Sequence, residues 1–205
     1  MAAQAINQLI KQFSMMAPMM LPHLPAFVAG CSLPPFQRGY VWTPAQAELL
    51  LDSVCRGYPI GAILMWSEQR RGIFPPETAM VLDGQQRLTA LTGMRPGGEV
   101  IHVPCWDLDE GRPRVFAPDA IPASAWPMYS RTYDLYALAE ARGSTREQRH
   151  AVMDAVRTFN DAATIPVHFV HGTRADAVEA FRRVNACGTA IGAEELAGLI
   201  AKEQA

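Results

Sequence analysis

What this chain lacks narrows its function first. There is no Cys-x-x-Cys pair, no His-Glu-x-x-His helix and no histidine set at metal-ligand spacing, so nothing in the pattern supports a zinc site. The four cysteines, Cys31, Cys55, Cys105 and Cys187, are too scattered for a disulfide framework. They read as reduced, mostly buried thiols of a cytoplasmic protein. No Gly-x-x-x-x-Gly-Lys-Ser/Thr loop occurs, which removes the P-loop enzymes, and no His-Asn-His pattern, which removes that class of nuclease. An excess of one charge is missing too: 18 Lys+Arg face 20 Asp+Glu, for a net charge of -2. Capture of duplex DNA by bulk electrostatics is therefore not indicated, although a local basic patch stays open.

Long apolar runs are also scarce. The stretch from Met15 to Gly30 is the nearest approach, but Pro18, Pro22 and Pro25 interrupt it and it is too short to span a bilayer as a helix. Val28-Ala29-Gly30-Cys31 resembles a lipoprotein cleavage box, yet those prolines and His23 spoil the apolar region and a charged start is nearly absent. The stretch is expected to be a buried, irregular connector, its methionines giving adaptable packing. Met15 to Phe27 also suits a partner surface.

With 205 residues and 49% of them hydrophobic, the chain has enough material for one core, and residues 1–205 read as a single domain, helix-rich after about residue 131. Helical spacing of Ile6, Leu9, Ile10 and Phe13 predicts a helix from Gln4 to Phe13. Thr43-Pro44 is a start signal for a helix that runs through Leu49, Leu50 and Val54 and stops at Gly57. Strands are expected over Ile60–Trp66, Ala79–Leu82, Glu99–Pro104 and Ile165–Val170, with an irregular, proline-rich region over Arg112–Pro127 that has room for one more. Helices are expected over Thr132–Arg142, Thr145–Asp161, Ala175–Ala186 and Ala193–Lys202. Ser144-Thr145-Arg146-Glu147 resembles a capping box, and Ala177, Phe181 and Val184 form the apolar face of the helix that contains them. Strands and helices intermix without regular alternation, which predicts an α+β fold.

One run stands out: Val81-Leu82-Asp83-Gly84-Gln85-Gln86-Arg87-Leu88-Thr89-Ala90-Leu91. It places polar groups and a glycine at the junction of an apolar strand and an amphipathic helix, where the first N–H groups of the helix have no internal partner and face an anion well. Asp83 closes the strand, Gly84 makes the turn, and Gln85, Gln86 and Arg87 fill the first helical turn with donors expected to face outward; Leu88 and Leu91 anchor the helix. An ordinary N-cap, an ordinary turn and a solvated arginine explain the same residues when they are taken alone.

Two further clusters bear on this choice. Phe36-Gln37-Arg38-Gly39-Tyr40-Val41-Trp42 sets aromatics around an arginine that can clamp a phosphate or carboxylate, with Tyr40 or Trp42 available to stack on a base. In Phe181-Arg182-Arg183-Val184-Asn185-Ala186-Cys187-Gly188-Thr189, Arg182 and Asn185 share a helix face and Gly188 is the expected terminating glycine.

These clusters in this order, with Ser53 through Gly61 (SVCRGYPIG) between the first two and Glu194-Glu195-Leu196 after the last, resemble the family called domain of unknown function 262. That family forms the N-terminal half of GmrSD-type modification-dependent restriction enzymes. The resemblance implies a ParB/sulfiredoxin-like mixed sheet with surrounding helices and a helical C-terminal part. It also implies binding and hydrolysis of a nucleoside triphosphate at the Asp-Gly-Gln-Gln-Arg loop, in control of a nuclease that degrades modified or foreign DNA. These residues hold no His-Asn-His nuclease domain of the kind typical of such proteins, so the expectation is either a truncated or split member whose nuclease acts in trans as another polypeptide, or a member that has lost that activity.

Triphosphate hydrolysis needs charge neutralisation, an oriented water and usually Mg2+. On that chemistry Arg87 and the N–H groups after Gly84 are the candidates for the phosphates, Asp83 for Mg2+ or the attacking water, and Gln85 or Gln86 for positioning that water. Gln37, Arg38 and Arg182 are supporting phosphate contacts and Asn185 a polar one. Competing readings are a nucleotide- or DNA-sensing module without turnover and a remnant used for partner docking. Oligomer formation stays open.

Overall fold

The computed structural model describes residues 13–20, 23–35, 37–67, 79–129, 132–162 and 164–186. The Thr43-Pro44 signal does what its chemistry predicts. Thr43 Oγ1 accepts from Gln46 N at 3.3 Å while Thr43 N donates to Gln46 Oε1 at 2.9 Å, and α2 (Pro44–Cys55) buries Ala47, Leu51 and Val54 at helical spacing. It follows a shorter helix, α1 (Leu24–Gly30).

Four strands, β1 (Phe13–Met20), β2 (Ile63–Ser67), β3 (Met80–Asp83) and β7 (Thr164–His171), make one sheet in the order β1-β7-β2-β3. β1 and β3 run antiparallel to their neighbours, whereas β2 and β7 are parallel. Alternation splits the sheet's side chains between two cores. Ile63, Met65, Val81, Val167 and Phe169 join α1, α2 and α3 (Gln85–Thr92), while Trp66, Leu82 and Val170 pack with Ala177, Ala180 and Phe181 of α6 (Arg174–Ala186). A second, antiparallel sheet has the order β5-β4-β6, from β4 (Val103–Asp107), β5 (Arg112–Phe116) and β6 (Ala125–Pro127). Helices α4 (Thr132–Ala141) and α5 (Arg146–Ala162) enclose a smaller cluster with Trp126, across whose ring Arg142 lies 4.9 Å from the centroid.

The α+β architecture is the expected one, but several elements differ in detail. The Met15–Gly30 connector is instead strand β1 and helix α1. Proline misleads here, because Pro18 lies on an edge strand and Pro25 in the first turn of a helix, the two places where a missing N–H costs little. The same reason applies to 112–127, where two strands form: Pro113 and Pro127 belong to edge strands β5 and β6. The strand expected over Glu99–Pro104 begins only at Val103, since Val100 bridges to Met94 and Ile101 N and His102 N both donate to the Gly93 carbonyl, which ties these residues to the end of α3. The cap of α5 falls one residue later than expected, on Thr145 with Gln148. Val184 lies at the exposed edge of that face, 47% exposed beside a cavity, and Ala180 packs in the cluster with Ala177 and Phe181.

Residues 4–12, Cys187, Gly188 and the helix expected over Ala193–Lys202 lie outside the described residues. Among the described residues no helix is long and apolar enough to cross a membrane. Cys31, of the lipoprotein-like box, is buried behind α1, and burial pushes its thiol up to about 12.

Candidate functional site

Strand β3 ends at Asp83, and Gly84 caps α3 with φ +93, a backbone that L side chains rarely adopt. A Cβ on Gly84 would sit 2.6 Å from Ile63 Cδ1, so a larger residue must displace that side chain as well as bear the positive φ. Among the described residues no side chain caps α3, and the N–H groups of its first turn keep the anion-binding character of a helix N-terminus.

Arg87 comes back one turn to this junction. Its Nη2 donates to Asp83 Oδ2 at 2.8 Å and its Nη1 to the Ile60 carbonyl at 3.4 Å. The guanidinium lies across Gly61, whose φ is +78 and where a Cβ would overlap Nη1. Gly61 thus belongs to the site although it carries no functional group. The Asp83 and Arg87 side chains keep 35% and 22% of their exposure, so the pair stabilises the fold by only about 1 kcal/mol or less and both groups remain open to a ligand.

The two glutamines do not point outward as expected. Gln85 is 6% exposed, and its Nε2 donates to Gln37 Oε1 at 3.0 Å and to the Arg38 carbonyl at 2.6 Å. Gln37 passes the chain on, donating through Nε2 to the Leu82 carbonyl at 2.5 Å. Gln86 binds the next peptide units on both sides: its Oε1 accepts from Val41 N at 3.0 Å and its Nε2 donates to the Gly39 carbonyl at 2.9 Å. The correction has a chemical cause. Loop 37–41 has exposed peptide groups in need of partners, and a primary amide is the side chain that offers a donor and an acceptor together.

Arg38 is carried on this clamped loop, exposed, and its guanidinium has no hydrogen-bond or ion-pair partner among the described residues. Tyr40 is half-buried with its ring 5.8 Å from that of His102; its hydroxyl has no hydrogen-bond partner among the described residues, and burial pushes it up to about 12. Trp42 packs against the main core. Phe36 lies outside the described residues.

On α6, Arg182 directs Nε and Nη2 to Glu179, each at 2.8 Å, and Arg183 donates to the same carboxylate at 2.6 Å. These hydrogen bonds hold the Glu179 carboxyl down at about 2. Asn185 is in the last turn of α6, and its side chain lies outside the described residues. Arg183, not Arg182, lines a cavity of about 370 Å³ that Asp83 also borders, together with His168 from β7. The sequence reading missed both Arg183 and His168. The signal for His168 was the register, since Asp83 pairs with Leu64 and Leu64 with His168 in one row across the sheet, whereas Arg183, on α6, had none.

Among the described residues no group of three or more His, Cys, Asp or Glu could hold a metal ion. Asp83 is thus a single carboxylate, which suits Mg2+ only in the manner where phosphates and water complete the coordination.

Fold and site together define an α+β domain with an arginine-carboxylate pair at an uncapped helix N-terminus. The family model described as GmrSD restriction endonuclease, N-terminal domain, matches residues 27–198, and the chain belongs to that family and so to the restriction type of defence system. A comparison with curated proteins found no match.

Proposed function

We propose that this chain binds a nucleoside triphosphate at the Asp83–Arg87 junction and hydrolyses it to control a nuclease of a restriction system. The observation that carries the reading is the Asp83–Arg87 pair, 2.8 Å apart at a helix N-terminus with no side-chain cap. In this mechanism the first-turn N–H groups and Arg87 neutralise the phosphate oxygens, and Asp83 orients the attacking water or holds Mg2+ beside the phosphates. Arg38 approaches from a loop that Gln85 and Gln86 fix in place, so the glutamines act by position. Mg2+ would supply charge neutralisation across the phosphate oxygens. A His-Asn-His nuclease in trans is the natural recipient of the signal, with modified or foreign DNA as its target and the cytoplasm as its compartment.

Phosphate release from each nucleoside triphosphate with Mg2+ tests this, comparing wild type with Arg87→Ala. Loss of release in the variant is expected; equal release in both sinks the reading.

One observation favours binding without turnover as a second reading. Both Nε2 hydrogens of Gln85 and the Oε1 of Gln86 are engaged by loop 37–41, which leaves Gln85 Oε1 as the one acceptor of the two amides with no partner among the described residues to hold a water. Tight nucleotide binding with no phosphate release would select it.

A further inference from the structure

The cavity between the sheet and α6 shares a wall with the phosphate site. Asp83 belongs to both, and Ala62 of the cavity wall follows Gly61, on which the Arg87 guanidinium lies. Beyond this polar edge the lining turns apolar: Leu64 and Val170 from the sheet, Ala180 and Val184 from α6. A volume of about 370 Å³ is at the small end of the range for small-molecule sites, roughly 300–1,000 Å³.

We propose that this cavity receives the base and ribose of the nucleoside triphosphate. The inference rests on the nucleotide reading above. A nucleoside triphosphate has one densely charged end and one flat, largely apolar end, and the surface here changes character in the same sense on either side of Asp83. An inorganic polyphosphate would satisfy the first-turn N–H groups and Arg87 and leave the apolar part unused. Arg183 stands at the rim, its Nε held by Glu179, while its apolar stem is free to pack against a ring. Discrimination between bases then falls to polar atoms at the edge of an apolar slot, where an unmatched donor or acceptor is most costly.

The experiment compares dissociation constants for the four ribonucleoside triphosphates and for inorganic tripolyphosphate, with Mg2+, in wild type, in two cavity variants of the full chain and in Arg87→Ala. Ala180→Leu fills the slot from the helix. Val184→Trp fills it from a rim position that is 47% exposed, so it is compatible with folding even where the first variant is not. Both variants are expected to weaken nucleoside triphosphates by about tenfold or more while leaving tripolyphosphate unchanged. Arg87→Ala is expected to weaken both ligand types.

Folded variants that bind nucleotides as tightly as wild type overturn the cavity assignment and leave the phosphate site standing. Equal weakening of nucleotide and tripolyphosphate also overturns it, since the cavity would then act only through the phosphate end. Wild-type protein that binds neither ligand refutes the nucleotide reading and this inference together. Displacement of a bound triphosphate by millimolar free nucleoside is a further expected result, independent of any substitution.

Discussion

Removing Gln85 should uncouple loop 37–41 from α3. Gln85 gives one hydrogen bond to Gln37 Oε1 at 3.0 Å and one to the Arg38 carbonyl at 2.6 Å, and it is 6% exposed. Each neutral hydrogen bond contributes about 1 kcal/mol net, so Gln85→Ala should cost about 2–3 kcal/mol including the lost packing. The pairwise part is separable. In a double-mutant cycle with Gln37→Ala, measured by urea unfolding, the two substitutions should be less costly together than their sum by about 1 kcal/mol, because they break one shared bond 48 residues apart. Gln85→Glu sharpens the test: an ionised carboxylate meets two oxygens that both need a donor, so it should be less stable than alanine at neutral pH. The gap should narrow in acid as that carboxyl becomes a donor. Additivity within about 0.3 kcal/mol, or a glutamate variant as stable as wild type, would refute the network.

Three other perturbations follow from the same geometry. Gly61→Ala should displace the Arg87 guanidinium and impose positive-φ strain of about 1–2 kcal/mol, lowering thermal stability and nucleotide affinity, whereas Gly39→Ala, whose Cβ would meet nothing within 4 Å, should leave thermal stability within about 0.5 kcal/mol of wild type. Glu48, 12% exposed on α2, accepts from Arg112 at 3.2 Å, Arg114 at 2.9 Å and Val115 N at 3.3 Å; Glu48→Ala should cost about 2–3 kcal/mol in urea unfolding by releasing β5 from the helix. His102 is buried with Nε2 3.2 Å from the Ala90 carbonyl, and burial lowers its basicity in the folded state. The unfolded chain therefore binds the proton more readily, so stability present above the ordinary histidine range should be lost as pH falls through it, a slope that His102→Gln removes.

Legibility in the sequence followed the range of the interactions. Short-range signals agree with the structure: the Thr43-Pro44 start of α2, the Asp83–Gly84 break and the spans of α2 and α5 are written within a few residues of where they act, although Leu49 of α2 is 67% exposed and Leu51 takes the buried place. Proline misleads at 18, 113 and 127, because whether a strand is an edge strand depends on pairing partners elsewhere in the chain, and at 25, where it opens a helix that no strong local cap announces. The glutamines were legible as polar and first-turn, but their direction was not, since their partners lie 45 to 48 residues upstream. Arg182 and Arg183 show the finest limit. One residue along a helix is about 100° of rotation, enough to decide which of two adjacent arginines reaches the cavity, and the apolar residues of α6 did not fix that angle.

The run Asp83-Gly84-Gln85-Gln86-Arg87 divides between chemistry and architecture, and the division can be measured at Gln86. Its two hydrogen bonds hold exposed backbone on either side of Tyr40, at Gly39 and Val41, and so set how much of the time Arg38 is presented in one place. Losing about 1–2 kcal/mol of loop order in Gln86→Ala would leave the ordering to be done by the ligand, raising the apparent dissociation constant for a triphosphate by about 5- to 30-fold with no phosphate contact removed. The loop reports independently of the ligand: trypsin cleavage after Arg38 should accelerate in the unliganded variant and slow again when triphosphate is added. A variant cleaved at the wild-type rate would mean that the loop is held by something other than Gln86, and that the second glutamine of the run is free for a role at the phosphates themselves.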